Sequence, residues 1–222
     1  MQKLQQSSGC ARYGLLIVGL IWTGISCFTL IPIIAVMGAE GGFNPASLNE
    51  PEAMLELFGN LAFPVIFGGC FIAVGLAIML AGLKPILAGT RVSPPEVHVS
   101  NTNLRSGDEF TLSYQQTFKA ASDVERITMQ LILRESATYR RGTDTVTVTH
   151  DHLIQSFETP ARHFDGGESF SDNRRLLIPR GAMHSFEANR NKLRWLVKVK
   201  VEIKGWPDYE DEYVLKVLPE LA

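Results

Sequence analysis

Two long stretches with no charged residue and no histidine, 14–37 and 61–83, constrain this chain more than anything else in it. A helix rising 1.5 Å per residue needs about 20 apolar residues to cross a bilayer, and both runs meet that length. In hydrocarbon an unpaired backbone amide has no water to turn to, so such runs are expected as transmembrane helices that close their hydrogen bonds internally. Pro32 and Pro64 predict local bends. A cleaved signal peptide, the alternative for the first run after Lys3 and Arg12, would have a shorter apolar core.

Cations resist translocation, so their placement sets orientation. Lys3 and Arg12 precede the first run and Lys84 and Arg91 follow the second, while residues 38–60 hold Glu40, Glu50, Glu52 and Glu56 but no Lys or Arg. The expectation is an integral protein of the plasma (inner) membrane with the bilayer as its first partner. Both termini should be cytoplasmic and the connecting loop external. Within that loop Asn49-Glu50-Pro51-Glu52 reads as a helix start and Gly59 as a stop, with Met54, Leu55, Leu57 and Phe58 on one side of a short helix. Gly69, Ala73, Ala77 and Ala81 recur every four residues and predict a helix-packing face. It would meet the first helix at Gly14, Gly19 and Gly24, or a second copy in a homo-oligomer. Neither run holds a charged residue, which disfavours a channel or transporter.

Pro85, Gly89 and Ser93-Pro94-Pro95 predict a linker that cannot continue the helix. The resulting plan is a tail over 1–13, helices over 14–37 and 61–83, a loop over 38–60, a linker over 84–95 and a folded domain over 96–222. In that domain apolar residues alternate with polar ones: Phe110, Leu112, Tyr114; Ile127, Met129, Leu131, Leu133; Val146, Val148; Trp195 through Ile203; and Tyr213, Leu215, Val217. Each pattern is a strand with one buried and one wet face. Turn signals at Ser106-Gly107-Asp108, Arg141-Gly142-Thr143, Asp165-Gly166-Gly167 and Gly205-Trp206-Pro207-Asp208 separate them. With no amphipathic helix to cover the apolar faces, the strands must cover one another. The expected fold is a membrane α-helical hairpin plus an all-β, antiparallel two-sheet β-sandwich of seven or so strands.

The succession Leu177-Ile178-Pro179, Ser185-Phe186, the strand from Leu193 to Val199 around Trp195, and a last strand ending at Pro219 resembles the second half of an arrestin-like β-sandwich domain. A generic immunoglobulin-like sandwich accounts for the same pattern. The arrestin-like resemblance implies an adaptor role, and the chain has room for one such sandwich.

The inventory of chemical groups is short. Cys10, Cys27 and Cys70 all precede the β domain, so it has no disulfide framework. Cys10 is placed where juxtamembrane cysteines are sometimes lipidated, with a plain small residue as the alternative. His150-Asp151-His152 puts two imidazoles on one side of a strand, the only local pair suited to a metal, while His163, His184 and Asp165 have no assigned place near it. No nucleophile elbow, phosphate loop or zinc-type cysteine pair occurs, so neither catalysis nor a cofactor is expected. From Arg174 to Lys204 nine cations face only Glu187 and Glu202. Arg174, Arg175, Arg194, Lys198 and Lys200 are therefore candidates for contact with an anionic surface, with Asp208, Glu210, Asp211 and Glu212 as nearby neutralisers. The net charge of −2 argues against nucleic acid. The reading that remains is a scaffold whose sandwich binds another protein. Its alternatives are a ligand- or metal-binding accessory domain and an outward-facing receptor domain.

Overall fold

The computed structural model describes residues 1–6, 13–40 and 51–220. Cys10, Arg12 and the Asn49-Glu50 helix start lie outside them, as do the side chains of Met54, Leu55, Leu57 and Phe58. The chain forms two compact units: Cys10–Lys84, and Met1–Gly9 together with Pro85–Ala222.

The first unit is built from α1 (Gly14–Glu40) and most of α2 (Pro51–Arg91). The two helices run antiparallel. Leu16, Gly19, Thr23 and Leu30 of α1 lie against Gly82, Met79, Gly75 and Gly68 of α2 in that order. Trp22 stacks on Phe71 at 5.7 Å between ring centroids and donates its indole N–H to the Phe71 carbonyl. The contact stripe on α2 is thus Gly68, Gly75 and Gly82, seven residues apart. The expected row of Gly69, Ala73, Ala77 and Ala81 is exposed on another face, and nothing lies within 4 Å of a Cβ built on Gly69. A seven-residue step stays in line between antiparallel helices crossing at a shallow angle, whereas a step of four drifts off the seam.

The helix boundaries also differ from expectation. The short loop helix and the second span are one element of 41 residues, continuous through Gly59, Pro64 and Pro85. The reason for continuity at Pro85 is tertiary. Ala88 is buried, and the carbonyls of the last turn find partners in the β domain: Leu87 accepts the Trp206 indole N–H, Gly89 the Lys119 ammonium and Arg91 the Lys119 amide. Carbonyls that a helix end leaves orphaned are satisfied there without a linker.

The second unit is a sandwich of two antiparallel sheets. One has the order β1 (Gln2–Lys3), β2 (Glu96–Val99), β3 (Glu109–Thr117), β7 (Ser169–Leu177). The other has the order β10 (Tyr209–Leu215), β9 (Asn191–Ile203), β4 (Ser122–Arg141), β5 (Asp144–Thr159), with β6 (Arg162–Phe164) beside β4 and β8 (Phe186–Glu187) beside β9. Residues of both inner faces, among them Leu112, Tyr114, Ile127, Met129, Leu131, Trp195, Val197 and Val199, form one core. The four expected turns hold Gly107, Gly142, Gly167 and Gly205 at positive φ, the conformation side chains resist. Val217 lies beyond β10, in a bridge to Leu104.

The residues ahead of α1 are more than a tail. β1 pairs with β2, Leu4 is buried, the Val214 amide donates to the Gln5 carbonyl and Gln6 donates to the buried carboxylate of Asp211. A short strand with one apolar residue carries little sequence signal, which is why it reads as tail.

Candidate functional site

The feature that stands out from the sandwich is the β4–β5 hairpin. β4 starts beside the end of α2, where Arg91 donates to the Ala121 carbonyl at 2.8 Å. It then runs 20 residues, about 60 Å at the usual strand rise, to a two-residue loop of Gly142 and Thr143. Gly142 at positive φ in the first loop position is the type II′ arrangement that suits strand twist. Pairing of β9 with β4 stops at Ala137, and β7 stops at Leu177, whose amide donates to the Gln155 side chain. The distal half of the hairpin therefore leaves the sandwich.

A bulge between Leu131 and Ile132 shifts the β4–β5 register, so that the core-side residues of β5 change from Phe157 and Gln155 to His152, His150, Val148 and Val146. These share a face with Leu133, Glu135, Ala137 and Tyr139. The expectation that Val146 and Val148 are buried is corrected: Val148 is 50% exposed and Tyr139 47%, because no strand of the other sheet reaches them. The opposite face is a polar ladder, with Ser136–Thr149 at 3.3 Å and Thr138–Thr147 at 2.9 Å.

At the hairpin's base Arg134 acts as a clamp. Its guanidinium donates to both carboxylate oxygens of Asp151 at 2.7 Å and to both of Glu212 on β10 at 2.6 and 2.8 Å. These bonds hold the Asp151 carboxyl below its ordinary range and raise the Arg134 guanidinium further.

The histidines are spread apart. The His150 and His152 rings touch edge to face at 4.5 Å, and His152 is 3.7 Å from Glu135. His163 pairs with Asp123 at 2.6 Å at the α2 end of the sandwich, and His184 lines a surface depression with Met183, Phe186 and Leu193. Asp165 lies 3.6 Å from His163. Among the described residues no three His, Cys, Asp or Glu side chains gather where a metal ion would be held.

The cation-rich segment does not form one basic face. Arg174 and Arg175 lie on β7, in a different sheet from Arg194, Lys198 and Lys200 on β9. Arg174 pairs with Asp172 at 2.8 Å, Arg194 with Glu187 at 2.8 Å, Lys198 with Glu210 at 2.7 Å, and Lys200 with Glu202 at 2.7 Å and Asp208 at 3.0 Å. The register of β9 against β10 sets acids beside bases, so this outer face is a mixed lattice. The neutralising role expected of Asp208 and Glu210 is realised on Lys200 and Lys198, while Asp172 and Glu202 pair within their own strands with Arg174 and Lys200.

Within the segment that resembles an arrestin-like domain, the Ser185 hydroxyl accepts the Val217 amide and its own amide donates to the Val217 carbonyl. The fully buried Trp195 donates its indole N–H to Met183.

No family model matches the chain, and no curated protein matches it. Among solved structures it is similar to Spo0M, the sporulation control protein from Bacillus subtilis, at 16% identity with a TM-score of 0.47. The likeness covers 57% of this chain and 49% of that one, about half its length.

Proposed function

We propose that this is a non-enzymatic, two-pass membrane protein whose single sandwich, of the arrestin-like kind, is tethered at the cytoplasmic surface and presents the β4–β5 hairpin to protein partners. One observation carries the reading: the residues before α1 and those after α2 belong to the same folded unit. That arrangement suits a helical hairpin entering and leaving a bilayer from one side, and Lys3, Lys84 and Arg91 make that side cytoplasmic.

The surface of the helices supports lipid as their solvent. Phe28 is 80% exposed and Ile31, Ile66 and Leu80 are 61–65% exposed, far more apolar surface than a water-facing helix pair normally leaves open. The hydroxyls of Thr23, Ser26 and Thr29 bond to carbonyls one turn back, so they need no water. The hairpin supports the binding role, since beyond the last pairing of β9 with β4 it carries exposed Tyr139 and Val148.

The test begins with alkaline carbonate, which should leave the full chain in the membrane pellet. Affinity capture from detergent should then recover a partner that a Tyr139→Ser/Val148→Ser double variant loses. Extraction by carbonate would end the membrane reading, and unchanged capture by the double variant would end the hairpin's role.

A further inference from the structure

β5 is an edge strand along its whole length among the described residues, and its distal half reads Asp144-Thr-Val-Thr-Val-Thr-His150. Exposed edges normally carry Lys, Pro or a bulge that blocks further pairing. Residues 145–149 carry none of these. The stretch is also a near-palindrome with an acid at one end and a base at the other.

The direction of its backbone groups follows from its neighbours. The Thr138 amide donates to the Arg190 carbonyl on the side away from β5. Thr138 and its partner Thr147 are therefore a non-hydrogen-bonded pair, and by alternation the backbone groups of Thr145, Thr147 and Thr149 point to the open edge. An antiparallel copy centred on Thr147 uses all of them. Thr147 then pairs with its own mate and Thr145 with the mate of Thr149, all as hydrogen-bonded pairs. Val146 falls opposite the mate of Val148 and Asp144 opposite the mate of His150, in the close, non-bonded pairs where side chains meet. Centring on Thr149 instead would set His150 against Val148 and Asp151 against Thr147, losing this match.

We propose that β5 is a homodimer interface, in which two chains pair antiparallel through residues 144–150 about a two-fold axis at Thr147. The pairing joins two copies of the exposed face carrying Tyr139, Val146 and Val148 into one four-stranded ribbon. It also sets the two α2 ends at opposite extremes of the pair. The proposal rests on the hairpin's binding role and names a second copy as its occupant.

The test uses the full chain in detergent. Light scattering after size exclusion should show a dimer. Thr147→Pro removes an outward amide that β4 does not use, and with it the two bonds on the axis, so dimerisation should weaken roughly thirtyfold, at about fivefold per lost bond. His150→Asp should weaken it as well, and adding Asp144→His should restore it. In a chain whose three native cysteines are replaced by serine, an Asp144→Cys variant and a His150→Cys variant mixed together should cross-link to each other, and neither to itself. A monomeric wild type, a dimer indifferent to Thr147→Pro and His150→Asp, or a dimer without that heterotypic cross-link would overturn the proposal. In each case membrane retention and partner capture can still be intact, which separates this failure from failure of the proposed function.

Discussion

Asp123 and His163 show how a side chain on the surface can report the fold around it. Asp123 is the second residue of β4 and His163 sits opposite on β6, so their 2.6 Å contact exists only while those strands are paired. The bond to His163 depresses the Asp123 carboxyl, and the bond to Asp123, helped by the charge of Asp165, raises the His163 imidazole. Signs follow from linkage. The raised histidine contributes fully below its unfolded pKa and loses that contribution as pH rises through its folded value. The depressed carboxyl contributes above its unfolded pKa and loses that as pH falls through its folded value. The pair therefore helps most in the acidic window between the two. NMR titration should place the His163 midpoint above the ordinary value of about 6.5, and Asp123→Asn should bring it down. A midpoint unmoved by Asp123→Asn would show that the pair does not form. None of this was legible from spacing, since the two residues are 40 positions apart in the chain and meet only through register. The four turn glycines were legible because positive φ selects glycine locally.

At the scale of elements, the strands were legible and the helix contact was not. Alternation identifies a strand from its own residues, and Phe110, Leu112 and Tyr114 are buried as their period requires. A helix with several glycines offers more than one row of small residues, and the choice depends on the partner's shape. Here a Cβ on Gly19 would sit 2.6 Å from the Met79 amide nitrogen, and one on Gly82 would meet the backbone of Leu16. Backbone cannot step aside as a side chain can, so Gly19→Ala and Gly82→Ala should each destabilise the helix pair by about 1–3 kcal/mol. Gly69→Ala, pointing into open space, should be neutral. Loss of helicity in a detergent-denaturation series would rank the three, and equal effects would mean that the helices meet elsewhere. Pro85 illustrates the opposite limit: a strong local stop signal is overridden where the turn that follows it is docked, with Trp206 and Lys119 supplying partners for the Leu87 and Gly89 carbonyls that the helix end leaves orphaned.

For the whole molecule, the decisive strand is only two residues long. β1 lies before both membrane-length helices in sequence and at the edge of one sheet of the sandwich in space, held by the Leu4 amide on the Val97 carbonyl at 2.9 Å and by Lys3 near Glu96. Its alternation with β2 directs the Val97 and Val99 amides toward it, while Ser100 turns to β3. Gln6 completes the interior by donating to Asp211, a carboxylate only 1% exposed that also accepts the Tyr209 hydroxyl. Removing a partner from a buried acid costs more than the bond itself is worth, because the charge stays behind. Replacing Leu4 by Ala should therefore cost about 2 kcal/mol from lost burial, and adding Gln6→Ala about 1–2 kcal/mol more. Hydrogen exchange would locate the damage: the Val97 and Val99 amides should lose protection while those of β9 keep theirs. If Leu4→Ala left both amides protected, β1 would not be part of the sandwich. The two ends of the helical hairpin would then no longer be tied to one domain, and only the cations flanking the helices would hold them to one side of a membrane.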